Sequence, residues 1–312
     1  MTEFKTTAVL GAGVIGASWT ALFLASGRDV ALYDMSPNAE KTVREYVERA
    51  WPTLDELGLV NGGSPDRVRF CRSAPEAVEG AMFIQENVPE RLEIKNALYE
   101  EIERELEREA VIATSTSGLT LSEMQTAWKN PSRFVLGHPF NPPHLIPLVE
   151  VMGNGRTDPS AIEAAERFYS ALGKVTIRLS REVPGHVANR LQAAVWREAI
   201  YLVKTGVASV EDVDKAMWAG PGLRWAAMGP TMLFHLGGGE GGLAAFCERL
   251  GESFDRWWDD LGILHLDAVT SRMLVSGVED EANGQTLTEL AERRDALIAS
   301  IQKALIPYRK DQ

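Results

Sequence analysis

Apolar and polar positions follow two different rhythms along this 312-residue chain. Up to residue 183, short apolar runs alternate with longer stretches in which apolar positions recur every three to four residues. The runs at 7–10, 30–33, 68–71, 81–85, 111–114, 134–136, 148–151 and 175–179 predict buried strands, and the stretches at 17–26, 75–80, 91–109 and 160–172 predict helices. Strand alternating with helix implies an α/β unit with a mainly parallel sheet. Residues 38–59 also read as helical, broken at Pro52 and turned back at Asn61-Gly62-Gly63, which predicts a helical hairpin inserted between strands. Pro184-Gly185 is a natural boundary. Beyond it Leu191, Ala194, Val195, Ala199 and Leu202 lie at helical core spacing and no further strand pattern follows, so a division into 1–183 and an all-helical 184–312 is expected.

The first strand runs straight into Gly11-Ala12-Gly13-Val14-Ile15-Gly16 and then into a helix closed by Gly27. This is a Gly-x-Gly-x-x-Gly turn in the setting its chemistry needs. Gly11 permits the turn, Gly13 lets the backbone approach a pyrophosphate, and Gly16 lets helix and strand pack closely, leaving the helix N-terminus and the adjoining Val14 and Ile15 for phosphates. The second strand ends at Asp34, where a carboxylate accepts from ribose hydroxyls and repels a 2′-phosphate, and no Arg follows in Met35-Ser36-Pro37. The expectation is a Rossmann-type domain that binds NAD in preference to NADP.

A second stretch invites chemistry. In 137–151, GHPFNPPHLIPLVEV, Pro139, Pro142 and Pro143 stiffen what reads as a loop between two strands and would hold His138 in one place. Histidine titrates near neutrality and can take a proton from an alcohol and return it. Glu150 is a lone acid in an apolar strand, which is costly unless paired, and an imidazolium would be a suitable partner. A structural His–Glu pair is the competing reading. The hydroxyls of Ser115-Thr116-Ser117 before Gly118 are open between helix capping and substrate contact; Ser122 is expected to cap the next helix, which would leave Ser117 free.

With 45% hydrophobic residues the chain can fill two domains, and its net charge of −12 argues against nucleic acid or an anionic membrane as partner. Two cysteines, Cys71 and Cys247, provide neither a disulfide framework nor a zinc site. No signal-like segment opens the chain and no stretch of 18 residues is apolar throughout, so a soluble cytoplasmic protein is expected.

Together, GAGVIG near the N-terminus, Ser117 after a strand, GHPFNPP with Glu150 in LVEV, and PGHVANRL at 184–191 resemble the 3-hydroxyacyl-CoA dehydrogenase superfamily over essentially the whole chain. The resemblance implies an NAD-dependent oxidation of a 3-hydroxyl. It makes His138 the base and Glu150 its orienting partner. Ser117 and Asn189 become hydrogen-bond partners of the reacting oxygen, and Asn141 a residue supporting the site. Glu90 and Lys95 fall beside the nicotinamide ribose. His144 and His186 have no counterpart and read as structural or surface residues.

Residues 220–236, GPGLRWAAMGPTMLFHL, depart from the MGPFELLD-like stretch of members acting on fatty acyl-CoA. They are similar instead to the branch of lambda-crystallin, L-gulonate 3-dehydrogenase and L-carnitine 3-dehydrogenase, and the RW pair, HLGGGEGG and DRWWDDLG are most similar to carnitine dehydrogenases. That implies a small zwitterionic hydroxy acid as substrate, with Arg224 for its carboxylate and Trp225 and Phe234 for a quaternary ammonium. An L-gulonate, acyl-CoA or other small 3-hydroxy acid substrate, and a crystallin-like NAD-binding protein without turnover, are the alternatives. Trp218, Trp225, Trp257 and Trp258 in a thin helical half imply a homodimer, or else fill that half's own core.

Overall fold

The computed structural model describes residues 4–309. The chain divides into two compact units, one formed by residues up to Asn189 with Asp295–Pro307 and the other by Arg190–Arg294.

In the first unit eight strands form one sheet: β1 (Thr6–Leu10), β2 (Asp29–Tyr33), β3 (Val68–Phe70), β4 (Phe83–Glu86), β5 (Val111–Thr114), β6 (Phe134–Pro139), β7 (Leu148–Met152) and β8 (Val175–Arg178). Their order is β3-β2-β1-β4-β5-β6-β7-β8, parallel throughout except that β6 and β7 are antiparallel. Strand order reverses between β1 and β4, the crevice at which such sheets take ligands. Both faces are covered, so consecutive strand residues enter opposite cores: Val9 and Phe83 pack on one side, Ala8, Leu10 and Ile84 on the other. The helices are α1 (Val14–Ala25), α2 (Ala39–Glu56), α3 (Ala74–Val78), α4 (Leu92–Ile102), α5 (Leu121–Met124) and α6 (Pro159–Ser170). On the first side α1 and α6 bring Trp19, Phe23, Phe168 and Tyr169 against Phe83, whose ring stacks on Phe168 at 3.6 Å between centroids.

Two expectations fail here. The helical hairpin is instead one continuous helix, α2, which runs through Pro52. A proline inside a helix costs about 3 kcal/mol. Here Val43, Val47, Ala50 and Leu54 are buried along one face, and that tertiary packing outweighs the lost hydrogen bond. Ser122 is not the helix cap either. Thr120 caps α5, accepting from the Glu123 amide while Glu123 reaches back to the Thr120 amide, and Ser122 Oγ donates to Glu182 at 2.9 Å.

Beyond β8 the described chain is helical: α7 (Ala188–Lys204), α8 (Val210–Met217), α9 (Leu223–Ala227), α10 (Pro230–Gly237), α11 (Gly242–Asp260), α12 (Ala268–Ala282) and α13 (Leu287–Arg309). In the second unit Ser209 and Asp267 cap α8 and α12, and Phe234 of α10 stacks on Phe246 of α11 at 4.8 Å. Segment 295–307 of α13 belongs to the first unit, where Ala299 packs with Leu57 and Leu145 and Lys303 pairs with Glu56 at 2.6 Å. Among the described residues no helix is long and apolar enough to cross a membrane, and no cluster of ligating side chains could hold a metal ion.

Candidate active site

The turn after β1 is built as its glycines require. Gly11 has φ 89°, and a Cβ there would lie 2.7 Å from the Asn87 backbone; a Cβ on Gly16 would sit 1.8 Å from the Gly11 carbonyl oxygen. A Cβ on Gly13, in contrast, would meet nothing within 4 Å. Two glycines are thus fixed by close backbone approach and the third leaves open space, beside a helix α1 that no side chain caps and that has no acid in its first turn. That opening fits a pyrophosphate. Asp34, at the end of β2, accepts from the Ala12 amide at 2.6 Å through one oxygen and from the Ser36 amide at 2.7 Å through the other. It lines a groove with Gly11, Met35, Val88, Ile94 and Leu98, to which Glu93 and Glu101 add further carboxylates. The lining suits an adenosine with free hydroxyls and disfavours a 2′-phosphate.

His138 lies in strand β6 itself, not in the proline loop that follows. Because β7 runs antiparallel, His138 and Glu150 face each other directly, and side chains of opposed residues share one face of the sheet. His138 Nδ1 is 2.7 Å from Glu150 Oε2. Glu150 is fully buried, and its other oxygen accepts from the amides of Val187 and Ala188, at 2.8 and 3.0 Å, in the turn that opens α7. Burial pushes this carboxyl up; the hydrogen bonds of His138 and of the two amides outweigh it and leave it below the ordinary carboxylate value. An ionised Glu150 makes Nδ1 the protonated nitrogen of the neutral ring, so Nε2 is left with the lone pair a base needs.

A second buried carboxylate supports the neighbouring strand end. Glu86 accepts from Lys95 Nζ (2.8 Å), Tyr99 Oη (2.7 Å), Thr114 Oγ1 (2.7 Å) and the Val88 amide (2.7 Å). Lys95 therefore faces inward, 1% exposed, and lies 3.7 Å from Glu90, so any part it has in a ribose site runs through Glu90. Glu90 Oε1 accepts from the Thr116 hydroxyl at 2.5 Å and from the Ser117 and Gly118 amides at 2.9 and 2.7 Å. Burial raises its pKa, but these donors and Lys95 more than offset that and hold it ionised. Glu90 thus shapes the turn on which Ser117 stands exposed.

Asn141 is exposed just past β6, and Asn189 is half-buried in the first turn of α7, next to the amides that hold Glu150. In the second unit Arg224 and Trp225 lie exposed on α9, whereas Phe234 is packed between Phe246 and Phe254. His144 and His186, read as structural or surface residues, are both buried, at 4% and 3% exposure. His144 Nδ1 meets Ser18 Oγ at 2.9 Å and helps fix the loop after β6. The sequence signal for the Glu86 cluster is an acid closing the apolar run of β4, of the same kind as Glu150 in β7.

Known proteins resemble the chain over nearly its whole length. The family description "3-hydroxyacyl-CoA dehydrogenase, NAD binding domain" matches residues 6–183, and "3-hydroxyacyl-CoA dehydrogenase, C-terminal domain" matches residues 185–263. The chain is 44% identical over 302 residues to an L-carnitine dehydrogenase of Streptomyces griseus, covering 97% of this chain and 90% of that protein. It is 42% identical to the L-carnitine dehydrogenase of Pseudomonas putida, over 98% of this chain and 95% of that one. Among solved structures, an NAD+-dependent 5-formyl-3-hydroxy-2-methylpyridine-4-carboxylic acid 5-dehydrogenase superposes with a TM-score of 0.82 at 28% identity, covering 97% of this chain and 98% of that one.

Proposed function

Because the chain belongs to the 3-hydroxyacyl-CoA dehydrogenase family and is an NAD-dependent dehydrogenase acting on a CH–OH group, we propose that it oxidises the 3-hydroxyl of L-carnitine to 3-dehydrocarnitine with His138 and Glu150 as general base. The observation that carries the chemistry is the His138–Glu150 pair at 2.7 Å, with Glu150 anchored by two amides. Bound NAD supplies the acceptor of the hydride. His138 Nε2 takes the hydroxyl proton, and Glu150 stabilises the imidazolium that results. Ser117 and Asn189 hydrogen-bond the reacting oxygen, and Asn141 supports the site. Gly11, Gly13, Val14, Ile15 and Gly16 hold the pyrophosphate, Asp34 the adenosine ribose and Glu90 the nicotinamide ribose.

Carnitine's carboxylate needs a cation, and Arg224 offers a planar fork for it. Its trimethylammonium has no N–H to donate and is held by an aromatic face, for which the exposed Trp225 is the better candidate than the packed Phe234. The relatives named for L-carnitine support this substrate over L-gulonate or an acyl-CoA. A cytoplasmic setting suits the two free cysteines.

A homodimer completes the proposal. Trp196, Trp218, Trp257 and Trp258 stand exposed, apolar surface that a second copy would cover.

Incubating the protein and NAD with L-carnitine, L-gulonate, 3-hydroxybutyrate and 3-hydroxybutyryl-CoA in turn, and following the absorbance of reduced cofactor, tests the substrate. Carnitine should give the highest kcat/KM. Preference for any of the other three overturns the assignment.

A further inference from the structure

One buried imidazole stands against the candidate site without a task. His186 lies in the turn before α7 with φ 51°, the left-handed region that few side chains other than Asn, Asp and His enter readily. Such a conformation persists where its surroundings over-determine it. Here its amide donates to the Val183 carbonyl at 3.1 Å, its Nε2 is 3.1 Å from the Thr116 carbonyl oxygen, and its ring centre is 5.0 Å from that of His138. The next two amides in the chain, Val187 and Ala188, are the ones that hold Glu150.

A carbonyl oxygen only accepts, so Nε2 carries the proton in the bond to Thr116. Nδ1 of the neutral ring then keeps its lone pair, and this atom is buried with no hydrogen-bond partner among the described residues. Protonation there would place an N–H where no acceptor waits. The charged and titratable groups facing His186 are His138 on β6, Glu150 on β7 and Glu90 after β4. Burial is the largest influence and lowers its pKa, a charge on His138 acts the same way, and the Thr116 carbonyl and the two carboxylates oppose them. The two imidazoles have opposite hydrogen-bond partners: His138 has a carboxylate to stabilise its cation, His186 a neutral carbonyl.

We propose that His186 is a positioning residue for the dehydrogenase reaction, a neutral imidazole that ties the turn carrying the Glu150-binding amides to the 116–119 loop that carries Ser117. Through that tie the base and the partner of the reacting oxygen keep one spacing, and the proton removed from substrate has a single imidazole to go to. The proposal rests on the His138–Glu150 reading above.

The test combines two readouts on the full-length protein. Imidazole 15N–1H correlation spectra of the parent should show His186 as an Nε2–H ring that gains its second proton only below the pH at which a free histidine does. In kinetics, His186→Phe keeps the ring shape but not the donor and should lower kcat about tenfold or more with KM for NAD within about twofold. His186→Gln, whose amide can donate to the same carbonyl, should restore kcat to within about threefold of the parent. Titration of His186 near the free value, a Phe variant with unchanged kcat, or a Gln variant as slow as the Phe variant would each overturn the proposal. Should the Phe variant not fold, the spectrum of the parent still decides. A parent that oxidises no 3-hydroxy acid while His186 remains neutral would sink the reading of the reaction instead.

Discussion

Helices of the two units treat their apolar faces in opposite ways. In the first, α1 has ten of its twelve residues buried between the sheet and α2. In the second, α11 has nineteen residues and α12 fifteen, yet only Gly242 and Thr270 are buried on them. Among described residues 190–294 the one buried hydrophobic is Ile200, while Trp196, Trp218, Trp257 and Trp258 are 54 to 66% exposed. A sheet offers a helix a broad apolar surface within the same unit; a layer of helices offers only its neighbours' flanks. The first unit therefore finishes its own core and can hold fixed geometry at its strand ends. The second leaves apolar surface in water, which the proposed second copy of the chain would cover in a symmetric form.

If rigid geometry in the first unit carries the chemistry, removing the base is the largest perturbation available. His138→Asn should lower kcat by about a hundred- to ten-thousandfold, the contribution of a positioned base, with NAD affinity nearly unchanged. A variant keeping more than about a tenth of the parent rate would remove His138 from that role. Glu150→Gln should also slow turnover strongly, and it tests the electrostatics separately. The Glu150 carboxyl lies below its ordinary value in the folded protein. Its contribution to stability is therefore present above the unfolded carboxylate range and lost as pH falls through the folded value. Thermal unfolding followed downward from about pH 5 should thus show the parent losing more stability than Glu150→Gln.

The next effect in size tests the adenosine groove. Replacing Asp34 by Ser removes the carboxylate beside the ribose, and Met35→Arg supplies a cation, so the ratio of kcat/KM for NADP to that for NAD should rise about tenfold or more in the double variant. An unchanged ratio would show that the ribose is read elsewhere, with Glu93 and Glu101 the next residues to vary.

A smaller effect separates the substrate contribution of the second unit from that of the first. An aromatic face on a quaternary ammonium contributes about 0.5–2 kcal/mol, so L-carnitine should exceed a neutral tert-butyl isostere by about two- to thirtyfold in kcat/KM. Trp225→Leu should close most of that gap. Equal rates for the two compounds in the parent would reduce the assignment to a general small 3-hydroxy acid dehydrogenase.

The contrast between the units also explains what could be read in the sequence. Local chain geometry writes itself into residue choice: Gly11 and Gly16 are required by backbone approaches that a Cβ would block, and Asp34 stands where the turn can bond it. Pairing direction does not. Nothing in 134–152 says that β7 turns antiparallel, so the sequence supplied His138 and Glu150 but placed the histidine in a loop and not opposite its partner. The Thr120-x-x-Glu123 capping box is written in the sequence and takes the cap position in place of Ser122. Pro52 misled because its cost is local while the packing that outweighs it comes from α1. His186 carried no signal, because its partners Thr116 and His138 lie 70 and 48 positions away and only the fold brings them together.

The smallest effect tests the uncovered face itself. If a second copy covers it, sedimentation at micromolar protein should give a species of twice 34.3 kDa, and folding should be coupled to association. Stability then depends on concentration, because dilution favours the dissociated chain by mass action. A hundredfold dilution changes that balance by about 2.7 kcal/mol per dimer, or half of it per chain. A chain of this length unfolds with an entropy large enough that the midpoint should fall by only about 2 °C, a shift that calorimetry or fluorescence at two concentrations can resolve. A monomer that fills its own core shows no such dependence. A single 34.3 kDa species with a midpoint independent of concentration would mean that the exposed tryptophans of α7 and α11 stay in water, and the contrast between the units would then need another explanation.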